Sequence, residues 1–151
     1  MKRMFIIASA VFSLDQLTKW LVLNVLDLPR YGEIDLIPPY LNLRMAWNYG
    51  INFGLLDVSR WVLIAVALAI CVWIVWWMRR DTRVLARVSA GVLVGGAMGN
   101  ILDRIVHGAV ADFLNMSCCG IDNPYAFNVA DIAVFAGAIG LILFTGDKKT
   151  P

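Results

Sequence analysis

Charge is what this chain has least of. Asp, Glu, Lys and Arg make up only 16% of its 151 residues, and hydrophobic residues make up 60%. Soluble domains carry roughly 25% and 45–50% respectively. With a mean hydropathy of +0.73, there is too little charge to coat a water-facing globule, which excludes a disordered chain and an ordinary cytosolic enzyme. The net charge of +2 is too mild for a polyanion partner, so a nucleic-acid binder is excluded too. Cysteine is also scarce, and three Cys do not make a disulfide framework. Cys71 lies in an apolar run, and a bridge between adjacent Cys118 and Cys119 would close a strained small ring. That pair and His107 have no metal-ligand spacing, and no cofactor is expected. No His-Glu-x-x-His motif and no Gly-x-Ser-x-Gly elbow is present. None of Ser9, Ser13, Ser59, Ser89 and Ser117 lies beside His107. There is no internal repeat and no low-complexity stretch. A polytopic membrane protein of one domain, residues 1–151, remains.

What is there is four apolar segments, roughly Met4–Leu28, Trp61–Met78, Val84–Val106 and Ala126–Thr145. About 20 residues of helix span a hydrocarbon core, so the sequence predicts an all-α membrane protein, a bundle of four transmembrane helices. Lys2 and Arg3 precede the first segment, Arg79, Arg80, Arg83 and Arg87 lie between the second and third, and Lys148 and Lys149 follow the fourth. By the positive-inside rule both termini face the cytoplasm, and regions 29–60 and 107–125 face the other side. A competing reading takes Lys2-Arg3, Met4–Phe12 and Ala8-Ser9-Ala10 as a cleaved signal peptide. Apolar residues resume through Leu17, Trp20–Leu23 and Val25-Leu26, however, and make the run too long for a signal core.

The stretch 29–60 holds a strand signal. Leu41, Leu43, Met45 and Trp47 alternate with Tyr40, Asn42, Arg44 and Ala46, between Pro38-Pro39 and the glycine-bearing run 48–54. A small β-strand cradle between helices 1 and 2 is therefore expected on the membrane surface, placed to hold an extended peptide. In the third segment Gly91, Gly95 and Gly99 recur every four residues, the spacing of close helix packing.

Ionisable groups inside a bilayer cost about 2.5–3.5 kcal/mol each and need a reason. Asp15 and Lys19 stand four apart on one helix face, placed as an internal ion pair. Asn100, Asp103, Arg104 and His107 form a polar stripe near the outer end of segment three. There Asp103 and Arg104 are expected to satisfy neighbouring helices, Arg104 by holding a buried carboxylate. His107 is most simply an interfacial residue. Asp112, just past segment three, and Asp131, about one turn into segment four, reach similar depth at the outer rim. Neither has a cation at helical spacing, and Asn128 shares the face of Asp131. Two carboxyls brought close share one proton, so one can act as base on a water while the other donates. That is aspartic-protease chemistry, although spacing alone equally allows a cation site or a proton relay.

Five motifs in order carry a resemblance: Asp15-Gln16-Leu17-Thr18-Lys19, Asn48–Gly54, Gly95–Arg104, Val110-Ala111-Asp112-Phe113 and Phe127-Asn128-Val129-Ala130-Asp131. From about residue 15 to 132 the chain resembles the bacterial lipoprotein signal peptidases (signal peptidase II). The resemblance implies a metal-free aspartic endopeptidase of the bacterial inner membrane, active at its periplasmic face. It implies a diacylglyceryl-modified prolipoprotein as substrate, cut just before the lipidated Cys, with membrane lipids as surroundings, globomycin-type inhibitors and a monomeric enzyme. By motif match Asp112 and Asp131 are the catalytic residues, with Asn128 supporting Asp131. Asn48, Gly50, Asn100, Asp103 and Arg104 shape the substrate site, and Asp15 and Lys19 are structural or site-supporting. Asn52 departs from the family pattern, in which Ala is common there; this bears on loop packing and leaves the pair untouched. A proton-coupled carrier would need an inverted repeat or broken helices, and none is legible. A bare scaffold would leave the buried charges without a purpose.

Overall fold

The computed structural model describes residues 1–50, 59–117 and 123–146. Cys118, Cys119 and Asn52 therefore lie outside the described residues. The chain opens with α1 (Lys2–Trp20), which runs into a π-helical stretch, Leu21–Val25, and the single turn α2 (Leu28–Tyr31). Strands β1 (Glu33–Ile37) and β2 (Leu41–Asn48) follow, then α3 (Arg60–Met78), α4 (Val84–Val106), β3 (Val110–Met116) and α5 (Val129–Thr145). Lys2–Val25, Arg60–Met78 and Val84–Val106 are long and apolar enough to cross a membrane, whereas the apolar α5 has 17 residues. The first predicted segment ends early because Asp27 takes a left-handed φ of 47°, which no helix continues through. The fourth starts three residues late because Asn128 is its N-cap.

α4 is the centre of the bundle and packs against α1, α3 and α5. Its small residues set the spacing. A Cβ on Gly95 would stand 2.5 Å from the Ala8 carbonyl oxygen of α1, and one on Gly99 would overlap the Asp15 carboxylate. Backbone thus lies on backbone, the close approach available only to glycine. Met4, Cys71, Ile74, Met78, Ala90, Leu93 and Leu141 fill the core around this contact. The outer faces stay apolar and bare. Val72 is 68% exposed, Phe135 70% and Ile142 74%, which suits surrounding lipid and would be an aggregation surface in water.

The sheet is larger than expected and does not lie wholly between the first two spans. It has three antiparallel strands in the order β1-β2-β3, and β3 comes after α4. Val110, Ala111, Asp112, Phe113 and Asn115 are all buried, so β3 lacks the alternation that marks a half-exposed strand. Val22, Leu28, Leu43 and Phe113 form a second apolar cluster that anchors the sheet to the end of the bundle.

Replacing Gly95 with Ala should push α1 off α4 and cost about 1–3 kcal/mol. A thermal melt of the detergent-solubilised protein reads this directly, and an unchanged midpoint would mean that the interface is slack.

Candidate active site

Two carboxyl groups, Asp112 buried and Asp131 half-buried, come together at the junction of sheet and bundle, and each is placed by its own element. Asp112 sits in β3 opposite Ala46 of β2, and Asn48 lies two residues further along the same face of β2. Diagonal neighbours of this kind touch across a sheet. Asn48 Nδ2 donates to Asp112 Oδ2 at 3.0 Å, and the Gly50 amide donates to Asn48 Oδ1 at 3.0 Å, fixing that side chain from behind. Gly50 itself has φ of +114°, and a Cβ there would strike Leu63.

Asp131 is held by the first turn of α5. Asn128 Oδ1 accepts from the Asp131 amide at 2.9 Å, and Asp131 Oδ2 accepts from the Asn128 amide at 3.3 Å. This reciprocal cap satisfies two amides that a helix start otherwise leaves open. The remaining Asp131 oxygen, Oδ1, accepts from Asn100 Nδ2 of α4 at 2.8 Å. Asn128 is fully buried, and its Nδ2 donates to Asp112 Oδ1 at 2.6 Å. Asn128 therefore grips both acids, Asp131 through its backbone and Asp112 through its side-chain amide.

Beneath the pair lies a buried ion cluster. The Lys19 ammonium stands 2.8 Å from Asp15 Oδ2 and 2.8 Å from Asp103 Oδ2, and it also donates to Asn100 Oδ1 at 3.2 Å. The two carboxylates then reach upward. Asp15 Oδ1 accepts from the Ala130 amide at 2.9 Å, and Asp103 Oδ2 accepts from the Ala111 amide at 3.2 Å. Ala130 precedes Asp131 and Ala111 precedes Asp112, so each acid of the pair has its preceding amide tied to one ammonium.

Asp103 is satisfied from α1, by Lys19 and Gln16. Arg104 Nη1 donates to its own turn, at the Asn100 carbonyl, 3.3 Å away, and its Nε is buried without a partner. The charges that act on it are Asp131, Asp112 and Asp103, in that order. His107 is tilted against Trp47 with ring centroids 5.5 Å apart, and the two line a cavity of about 430 Å³ together with Gln16, Lys19 and Asp103.

Gln16 was not singled out by the sequence reading. Its Nε2 bridges Asp15 Oδ2 and Asp103 Oδ1, at 3.1 Å each. The available signal was an uncharged polar residue between Asp15 and Lys19 in an otherwise apolar helix. Among the described residues no three His, Cys, Asp or Glu side chains cluster closely enough to hold a metal.

Burial and then the Asp131 charge push the Asp112 carboxyl up to about 6, while hydrogen bonds from Asn48 and Asn128 pull it down. Asp112 thus carries its proton below about pH 6 and loses it above. Such a pair can share one proton, the state that serves acid and base at once.

Asp131→Asn removes a negative neighbour, so the Asp112 titration should shift to lower pH; Asn48→Ala removes a donor and should shift it to higher pH. Infrared difference spectra of the protonated carboxyl, followed between pH 4 and 8, distinguish the two, and identical midpoints would uncouple these residues. Lys19→Met leaves two buried carboxylates without their cation, and losses of about 3–5 kcal/mol are typical of such breaks. The expected result is a sharp fall in folded yield and melting temperature.

Comparison with known proteins agrees with this arrangement. A family described as Signal peptidase (SPase) II matches residues 7–145. A lipoprotein signal peptidase of Methylorubrum extorquens (strain PA1) is 41% identical over 139 residues, covering 89% of this chain and 80% of that protein. One from Methylobacterium sp. (strain 4-46) is 38% identical over 142 residues, with 91% and 85% coverage. A solved bacterial membrane enzyme, at 1.9 Å resolution, superposes with a TM-score of 0.84 and 28% identity over 99% of this chain and 96% of its own. A second, at 2.3 Å, gives a TM-score of 0.80 at 26% identity. A multi-pass membrane chain matched over nearly its whole length in this way belongs to the signal peptidase II family.

Proposed function

We propose that Asp112 and Asp131 are the catalytic pair with which this peptidase removes the signal peptide of diacylglyceryl-modified prolipoproteins, cutting just before the lipidated Cys. The observation that carries this reading is the double grip of Asn128, which brings two carboxyls from different elements together at the rim of the bundle. The pair shares one proton, and burial together with the Asp131 charge favours it on Asp112. The ionised member takes a proton from a water as that water's oxygen bonds to the scissile carbonyl carbon, and the protonated member gives its proton to the carbonyl oxygen. Collapse of the resulting diol breaks the C–N bond. A proton returns to the leaving amine, which is the new N-terminus of the lipidated Cys.

Asn48, Gly50, Asn100, Asp103 and Arg104 shape the substrate site in this reading. The unpartnered Nε of Arg104 offers a donor to an extended peptide. Asp15 and Lys19 hold the frame. Residues 1–151 act as one integral domain of the bacterial inner membrane, working as a monomer with α5 as the fourth crossing. Both termini face the cytoplasm and the pair faces the periplasm, where the acyl chains of the substrate stay among lipid tails. An inhibitor of the globomycin type would act by occupying the pair.

Asp112→Asn and Asp131→Asn each keep the shape of the side chain and remove one half of the shared-proton pair. Either should lower cleavage of a lipidated prolipoprotein at least about a hundredfold, read as loss of the gel shift, while the protein still inserts. Wild-type rates in either variant would take that residue out of the pair, and equal cleavage of an unlipidated precursor would overturn the substrate class.

A further inference from the structure

The opposite end of the bundle holds a cavity that the peptidase reaction does not use. Its volume is about 390 Å³, within the range of small-ligand sites, and it is lined by Met1, Lys2, Arg3, Thr82, Val84 and Arg87. α4 separates it from Asp112 by 23 residues, about 34 Å of helix. Three cations line it and no acid does. Asp81, one position before Thr82, is paired with the Arg83 guanidinium at 2.6 Å and feels the Arg87 charge more weakly.

Two further observations point to an anion. Lys2 and Arg3 lie in the first turn of α1 and Arg87 in the first turn of α4, and neither helix has an acidic residue in that turn or a side-chain cap. Cations at a helix start oppose the positive end of the macrodipole, and the uncapped amides of both helices lack acceptors. Arg87 Nε is also buried without a hydrogen-bond partner. An anion set among these groups would answer the dipoles, the amides and the orphaned N–H together. Val84 is 49% exposed at the edge of the cavity, an apolar lip where a head group would pass into acyl chains.

We propose that this cavity binds the phosphate-bearing head group of an anionic phospholipid. Basic pockets between transmembrane helices recognise lipid head groups in this way. Arg87 reaches the phosphate from α4, Lys2 and Arg3 close over it from α1, and the Thr82 hydroxyl adds a neutral donor. On the orientation proposed above, the lipid belongs to the cytoplasmic leaflet. It clamps the start of α1 to the start of α4, at the far end of the interface that Lys19 holds.

The test uses the full chain in detergent. Native mass spectrometry compares retention of phosphatidylglycerol with that of phosphatidylcholine, and a thermal melt adds inorganic phosphate as a third arm. Phosphatidylglycerol should be retained preferentially and should raise the melting midpoint, and inorganic phosphate should do neither. Arg87→Gln should cut that retention about fivefold and leave cleavage in detergent unchanged. Arg79→Gln with Arg80→Gln removes more charge outside the cavity and should leave retention intact. Equal retention of the two lipids, an equal loss in the Arg79/Arg80 variant, or full stabilisation by inorganic phosphate would each overturn the proposal.

Discussion

Everything at the sheet end of the bundle depends on where one ammonium sits. Lys19 is 3% exposed and lies 2.8 Å from each of two carboxylates on different helices. Taking three charges out of water is expensive, and their mutual attraction rarely repays it in stability alone. Specificity is the clearer gain. Asp15 and Asp103 each spend a lone pair on the amide just before one member of the acid pair. A shift of α1 along α4 would therefore break the ion cluster and both amide contacts at once, and the glycine contact leaves no slack to absorb such a shift. The separation of Asp112 and Asp131 is thus a property of the bundle core as much as of the sheet and helix that carry them.

The pair also sits at the junction of two kinds of secondary structure, and each restrains one acid differently. A strand position fixes the direction of Asp112 through its cross-strand neighbour Asn48, whereas the start of α5 lends Asp131 the positive end of a helix dipole. Two carboxyls of one chemical type thus stand in unlike surroundings. Differences of this kind separate the tasks of acid and base.

Much of this was legible in the sequence because it follows from local rules. Val84–Val106 and nearly all of Arg60–Met78 stand out as apolar runs of spanning length. β2 appeared through its period of two. The Asp15–Lys19 pair appeared through its spacing of four. What the sequence hid was tertiary. β3 is buried on both faces and carries no alternation. The partner of Asp103 lies 84 positions back on another helix, and no local spacing points to it. Asn128 could be read as a companion of Asp131, but its stronger hydrogen bond goes to Asp112, across a chain reversal that no periodicity marks.

The short final helix bears on the shape of the surrounding bilayer. A 17-residue helix is about 26 Å long, less than the ~30 Å of a typical hydrocarbon core, while α4 beside it has 23 residues. On the four-crossing arrangement proposed above, lipid against a helix that short thins to meet it. The dimple would then form on the flank where Asp131 opens α5, and would lower the water boundary towards the acids. A substrate anchored by its acyl chains would then need to lift its peptide only a short way, and hydrophobic mismatch would take the place of a moving part.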